Sequence, residues 1–208
     1  DRDWPVSGGA KRHTAVSAFV AAKKPPLAYI GDSITQMFGG EPHDRPQPGQ
    51  PVWEKHFAPR NTANLGFGYD YTENTLWRLQ HGELDGTDLI GIALGETKIT
   101  DAEVRKLRGL KHVKGCRNWF LQGTNITDEG ARVLAEIPDL NVVYLDRTKV
   151  TGAGLKDVRV HWLLSLRDAP VTDEGLKALR DHKSLLHLDL SDTKITDAGL
   201  RELKDLKQ

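Results

Sequence analysis

The chain has 208 residues, of which 38% are hydrophobic, and its 29 Lys and Arg residues balance its 29 Asp and Glu residues. This composition predicts a packed protein of one large or two small domains. A net charge of zero without a long basic block argues against nucleic acid and an anionic membrane as partners, and a single cysteine, Cys116, excludes an internal disulfide framework.

A helix and then a strand are predicted near the start of the chain. Residues 11–24 have a helical pattern, which the pair Pro25-Pro26 ends. The apolar run 27–30 predicts a buried strand that leads directly into Gly-Asp-Ser-Ile-Thr at residues 31–35. Ser33 is thereby placed at the carboxyl end of a parallel strand, where open α/β sheets carry reactive groups.

The elements that follow alternate between loop, helix and strand. Prolines and glycines predict a loop over residues 39–51, which precedes a short helix or turn over 52–57. A second strand is predicted over 61–65. A glycine-rich connection then leads to Asp70 and Glu73, whose spacing predicts a capping box and a helix through Leu79.

These segments together resemble the SGNH, or GDSL, hydrolase family, close to its platelet-activating-factor acetylhydrolase-like members. The resemblance covers about 75 to 80 residues and rests on the segments 31–35, 52–59, 64–68 and 72–79. It implies an esterase in which Ser33 is the catalytic nucleophile. The backbone N–H groups of Ser33, Gly68 and Tyr69 would form an oxyanion hole, with Tyr69 standing where the family has glycine.

Two further blocks of that family are absent from the sequence. The chain has neither the Gly-x-Asn-Asp block after the third strand nor the Asp-x-x-His pair whose histidine activates the serine. His43, His56 and His81 lie in the same half, but no motif places any of them beside Ser33. Two alternatives stay open: an esterase with a substitute base, or an inactive turn in which Asp32 or Ser33 caps the next helix.

The boundary between two domains is predicted near residues 82–86. We assign residues 1–86 to the hydrolase-like portion and 87–208 to a second domain. The strand over 89–94 fits both patterns. The predicted fold is therefore α/β, with a truncated SGNH-like parallel unit that continues into a solenoid and caps its first repeat.

The second domain consists of five near-copies of one short phrase, such as Thr193-Lys194-Ile195-Thr196. The branched aliphatic residue of the phrase, here called the anchor, recurs at intervals of 27, 24, 21 and 24 residues. The anchors are Ile99, Ile126, Val150, Val171 and Ile195. This period indicates a solenoid, because a unit of this size buries its apolar side only by stacking on a neighbour.

Each repeat is predicted to be a strand, a turn and a helix. Leucine stands five residues before every anchor, and apolar residues stand seven before it. His161 occupies a leucine position and is predicted to lie in the core. The Thr-Asp-x-Gly-Leu phrase after the anchor starts a helix, and the helix after Gly154 is predicted to be little more than a turn. Together these patterns resemble the leucine-rich repeat family over about 120 residues.

A binding patch is predicted on the strand face opposite the leucines, on the concave side of the solenoid. Aromatic and charged side chains of this kind anchor partners; the alternative is scattered surface variation. The candidate binding residues are Phe120, Tyr144, Asp146, Arg167, His187 and Asp189. The resemblance implies a protein or glycan as the partner.

Other expectations concern ligands, assembly and location. The scattered histidines and cysteine lack metal-ligand spacing, so we expect no metal and no cofactor. The apolar edge of the last repeat predicts a homodimer, because solenoids need their terminal units covered.

The compartment of the protein stays open, with export after loss of an upstream segment as one possibility. A fused or incomplete gene product without selected function is a further alternative.

Overall fold

The computed structural model describes residues 9–25, 27–31, 39, 47–66, 91–110, 113 and 115–206. Contacts divide the chain into two compact units, Asp1–Ala93 and Leu94–Gln208. The predicted boundary at residues 86 and 87 lies outside the described residues. The predicted continuation of the first unit into the repeats stays a prediction.

The first unit is a small parallel α/β arrangement. Among its described residues, the helices are α1 (Gly9–Lys23) and α2 (Gln50–His56), and the strands are β1 (Leu27–Gly31), β2 (Thr62–Gly66) and β3 (Gly91–Ala93). The strand order is β2-β1-β3, and both pairs are parallel. The helix and strands predicted at the start of the chain are confirmed, whereas the helix predicted through Leu79 lies outside the described residues.

The core of the first unit lies between these helices and the sheet. Val16 and Val20 of α1 and Trp53 of α2 are buried, as are Ala28, Leu65 and Ile92 of the strands. Arg12 ties α1 to β2 by donating to the Asn64 carbonyl oxygen at 3.3 Å. α/β packing of this kind is what the apolar strand runs predict.

The second unit contains four parallel strands in chain order. They are β4 (Asn118–Phe120), β5 (Leu140–Tyr144), β6 (Val160–Ser165) and β7 (His187–Asp189). The helix α3 (Asp101–Arg108) precedes β4, the helices α4 (Asp128–Val133) and α5 (Asp173–Leu176) follow β4 and β6, and α6 (Asp197–Arg201) follows β7. Only a three-residue 3₁₀ helix, Ala153–Leu155, follows Val150, as the shortened repeat predicts.

The predicted apolar interior is confirmed in this unit. The first four anchor residues are at most 2% exposed, and so are Leu94, Leu121, Leu145 and Leu166, each five residues before its anchor. Threonines that stand two residues before four of the anchors stabilise the turns after the strands. The hydroxyls of Thr97, Thr124, Thr148 and Thr193 donate to the carbonyl oxygen three residues earlier, at 2.6 to 2.7 Å.

The predicted core position of His161 is wrong, because β6 contains a bulge. Leu140 pairs with Val160, but Val142 pairs with Leu163, so two residues of β6 lie opposite the single residue Asn141. Val160 is buried in the place predicted for His161. The histidine is exposed instead, with Nε2 lying 3.9 Å from a carboxylate oxygen of Asp139. A bulge adds a residue to one strand and re-aims the side chains beside it.

Within the part of the chain that the structure describes, no helix has the length and apolarity that a membrane crossing requires.

Candidate binding surface on the strands of the second unit

The candidate surface is the face of β4 to β7 that points away from the leucine interior. Side chains alternate between the two faces of a strand, so residues one position from a buried leucine lie on the exposed side. Pairing aligns one residue from each strand into a row across the sheet. The row consists of Phe120, Tyr144, Ser165 and Asp189.

Two aromatic side chains occupy the first half of this row. The rings of Phe120 and Tyr144 are stacked, with centroids 5.5 Å apart and planes inclined by 18°. Both residues are half-buried. Neighbouring strands lie about 4.8 Å apart, so aromatic side chains at aligned positions are close enough to stack on each other.

Charged side chains follow the aromatic pair, close to the carboxyl ends of the strands. Asp146 accepts hydrogen bonds from the Ser165 hydroxyl and, at 3.0 Å, from the Arg167 backbone N–H. The Arg167 side chain donates from Nε to Asp192 at 2.9 Å, in an exposed ion pair. The structure therefore brings Phe120, Tyr144, Asp146 and Arg167 onto one face, as the sequence predicts.

Asp189 and His187 extend the face onto the last strand. The backbone N–H of Ser191 donates to Asp189 at 2.8 Å. Hydrogen bonds from Ser191 lower the pKa of Asp189 below its ordinary value, and the charge of Arg167 adds to the effect. Asp189 is consequently ionised at neutral pH. His187 is exposed on the same strand, and its ring centroid lies 6.4 Å from that of Trp162.

A row of left-handed residues follows the strands, and the sequence pattern does not reveal it. The third residue before each anchor has a positive φ, between 51° and 68°. The five residues are Glu96, Gly123, Arg147, Asp168 and Asp192. Glu96 and Arg147 form an ion pair across Gly123, where an added Cβ would lie 2.4 Å from a Glu96 carboxylate oxygen.

Most of the residues assigned to hydrolase chemistry lie outside the part of the chain that the structure describes. Ser33, Gly68 and Tyr69 lie outside the described residues, so their proposed roles stay predictions. His43 and His81 also lie outside them, whereas His56 ends α2 and is exposed. Burial raises the pKa of the Cys116 thiol to about 12, which keeps it protonated and unreactive.

No group of three or more His, Cys, Asp or Glu residues is arranged to hold a metal ion among the residues that the structure describes.

Comparison with known proteins finds a family model, a solved structure and several curated relatives that are similar to parts of the chain. Residues 120–135 and 181–204 match the Leucine Rich repeat family model, which accounts for two of the five repeats. An internalin structure (inlF) from Listeria monocytogenes has a TM-score of 0.40 and 16% identity, and covers 70% of this chain and 52% of that chain.

The curated relatives match 63 residues of the chain. Platelet-activating factor acetylhydrolase IB subunit alpha1 of Rattus norvegicus is 36% identical over 63 residues, which are 30% of this chain and 23% of that protein. Subunit alpha2 of Homo sapiens is 33% identical over 63 residues, or 30% of this chain and 24% of that protein. The chain thus spans about a quarter of the length of these relatives.

Proposed function

We propose that the second unit is a protein-interaction module that binds through the exposed face of β4 to β7. The observation that carries the proposal is the stacked pair of Phe120 and Tyr144 beside the charged side chains of Asp146 and Arg167. Binding energy concentrates in aromatic and Arg side chains that polar groups surround. The leucine-rich repeat match supports the proposal, since stacked repeats build extended binding surfaces.

A protein partner suits this face better than a glycan partner. Sugar rings stack on the open face of an aromatic side chain, whereas Phe120 and Tyr144 each cover one face of the other. The charged groups of Asp146 and Arg167 already have hydrogen-bond partners within the chain, which hold these charges in place beside the aromatic pair for recognition. These features match the polar rim and aromatic centre of protein interfaces.

The test is a selection of peptides from a phage-displayed random library on the immobilised full chain. Phe120→Ala and Tyr144→Ala should each weaken the selected peptides by about tenfold or more. Val52→Ala, which removes an exposed apolar side chain of α2, is the control and should leave affinity unchanged. Saturable binding to a glycan array without any peptide binding would reassign the partner as a glycan.

Ester hydrolysis by the first unit is a second candidate, supported by the similarity to acetylhydrolase subunits. Ser33 would attack the ester carbonyl, and backbone N–H groups of Ser33, Gly68 and Tyr69 would bind the oxyanion. Because the sequence lacks the family's Asn and Asp-x-x-His blocks, we propose that this unit is an inactive hydrolase-like cap. If the protein hydrolyses a short-chain chromogenic ester and Ser33→Ala abolishes the activity, the first unit is an active esterase and the proposal of an inactive cap is wrong.

The homodimer at the last repeat stays a prediction. Leu188, Leu190 and Ile195 are only half-buried there, and Leu200 is 54% exposed. A second copy would remove this apolar surface from water. Sedimentation velocity should show a dimer that Leu200→Glu dissociates, and a monomer at every protein concentration would contradict it.

A further inference from the structure

An apolar patch lies at the start of β6 and β7, and it consists of Trp162, Leu186 and His187; we call it the Trp162 patch. Trp162 is 53% exposed and Leu186 is 56% exposed. The Trp162 ring lies beside the His187 ring, at 6.4 Å between centroids and 33° between planes. Among the described residues, only Val52 and Leu200 are other large apolar side chains with comparable exposure.

Position in the repeat creates the Trp162 patch. Trp162 and Leu186 both stand nine residues before their anchors, where Arg117 and Asn141 of the preceding repeats are also exposed or half-buried. The Leu186 N–H donates to the Trp162 carbonyl oxygen at 3.2 Å, which keeps the two residues side by side. The backbone that carries the patch is therefore ordered before a partner binds, which favours affinity.

The charge beside the Trp162 patch is negative. Asp189 lies two residues after His187 on β7 and therefore on the same face. Its carboxylate is oriented by the Ser191 N–H at 2.8 Å. Asp168 is exposed at the corner after β6, and the nearby cation Arg167 already pairs with Asp192. A partner that covers this region therefore matches its electrostatic potential if the partner carries a positive charge there.

We propose that the Trp162 patch and Asp189 together bind an extended segment of a partner protein. In that segment, an aliphatic or aromatic side chain lies two residues from a Lys or Arg. Residues i and i+2 of an extended chain point to the same side, about 6.6 Å apart. His187 and Asp189 have the same separation along β7, so an apolar side chain on the patch places the cation at Asp189.

This inference rests on the proposed function and uses the same peptide selection on the full chain. The selected peptides should be enriched in an apolar residue two positions from Lys or Arg. Trp162→Ala and Leu186→Ala should each lower affinity by about tenfold or more, and Trp162→Phe should recover part of the loss. Val52→Ala is again the matched control, as an exposed apolar side chain of the first unit.

A double-mutant cycle tests the cation. Asp189→Asn should weaken a peptide that carries the Lys or Arg, but should not weaken the same peptide with Ala at that position. Equal effects on both peptides would overturn the basic-residue requirement. Circular dichroism spectra that match the wild type establish that each variant is folded.

The outcomes distinguish a failure of this inference from a failure of the proposed function. Peptides that depend on Phe120 and Tyr144 but tolerate Trp162→Ala and Leu186→Ala would overturn this inference and leave the proposed function intact. Peptides that tolerate all four substitutions, or a library that yields no binder, would overturn both. Sensitivity to Trp162→Ala with the predicted spacing supports both.

Discussion

His182 occupies a position that three other repeats give to an aliphatic residue. The residues thirteen before the second, third and fourth anchors are Val113, Ile137 and Val158, and these side chains and that of His182 are at most 3% exposed. The His182 ring contacts the Val158 carbonyl oxygen through Nε2. Its Nδ1 is buried and has no hydrogen-bond partner among the described residues. A buried polar atom without a partner costs stability.

Burial lowers the pKa of His182 below its ordinary value of 6.5, and the charge of Arg159 lowers it further. In the unfolded chain the pKa is about 6.5. The unfolded state therefore binds a proton first as the pH falls, so stability should decrease below about pH 6.5. Above that pH both states hold the neutral ring, and this contribution is constant.

We predict that His182→Ile raises the free energy of unfolding at low pH and changes it little at neutral pH. At pH 7 the substitution removes the unpaired Nδ1 but also the Nε2 contact with the Val158 carbonyl oxygen, and these opposing effects are each roughly 1 kcal/mol. Urea unfolding at pH 7 and pH 5 measures both effects. Val158→Ile, an aliphatic exchange at the preceding equivalent position, should leave the pH dependence as it is in the wild type. Parallel profiles for His182→Ile and the wild type would contradict the role of the buried ring.

At the scale of the element, the aspartate that follows the threonine in the first, second and fourth repeats joins each of these repeats to the next. The threonine caps the following helix, as Thr127 does by accepting the Glu129 N–H at 3.2 Å. The aspartate reaches the threonine one repeat later. Asp101 accepts from the backbone and hydroxyl of Thr127, and Asp173 accepts likewise from Thr196, at 2.6 to 2.9 Å.

Asp128 makes three of these bonds, to the backbone and hydroxyl of Thr151 and to the Gly154 N–H, at 2.5 to 3.1 Å. We predict that Asp128→Ala lowers the free energy of unfolding by about 2 kcal/mol, since hydrogen bonds to a charged group are strong. The control is Asp197→Ala at the same position of the last repeat. Asp197 is exposed and accepts no hydrogen bond from the described residues. Its replacement should therefore lower the free energy of unfolding by less than about 0.5 kcal/mol. Equal losses in urea unfolding would contradict the inter-repeat role.

The glycine of the Thr-Asp-x-Gly-Leu phrase is required by the close approach of neighbouring repeats. A Cβ on Gly175 would lie 2.0 Å from the Thr151 carbonyl oxygen. We predict that Gly175→Ala lowers the free energy of unfolding by more than about 2 kcal/mol, because backbone must move to relieve the contact. Gly115→Ala is the matched control, since its Cβ would meet nothing within 4 Å. Thermal unfolding of the two variants makes the comparison, and similar midpoints would refute the argument.

At the scale of the whole molecule, the charges are balanced and the ion pairs of the second unit lie in solvent. The net charge is zero. Pairs such as Arg105–Glu129 and Arg167–Asp192 have both side chains more than half exposed. Exposed pairs contribute little to stability, because water already solvates their charges. The apolar interior of the repeats is therefore the main source of stability in this unit.

We predict that added salt changes the stability of this protein only slightly. Between about 0.05 M and 0.5 M sodium chloride, the free energy of unfolding should shift by less than about 1 kcal/mol. Denaturation by urea, which is uncharged, measures this without adding ions. A larger decrease with salt would show that the surface pairs carry more of the stability than their exposure indicates.

Much of the fold follows from the sequence alone. The leucine positions predict which side chains are buried, and the threonines predict both the turn and the start of each helix. These features depend on local spacing, so a short window of sequence determines them. The aromatic pair Phe120 and Tyr144 is also predictable, because alternation along a strand fixes which face each residue occupies.

What the sequence leaves undetermined is the pairing of neighbouring strands. The spacing places His161 in the core, but the register of β6 against β5 inserts a bulge that buries Val160 and exposes His161. The ion pair across Gly123 likewise needs two repeats stacked on either side of it. Local periodicity therefore determined the repeats and their buried leucines. The tertiary structure alone decided the bulge that moves His161 out of the core, because register depends on contacts between residues far apart in the chain.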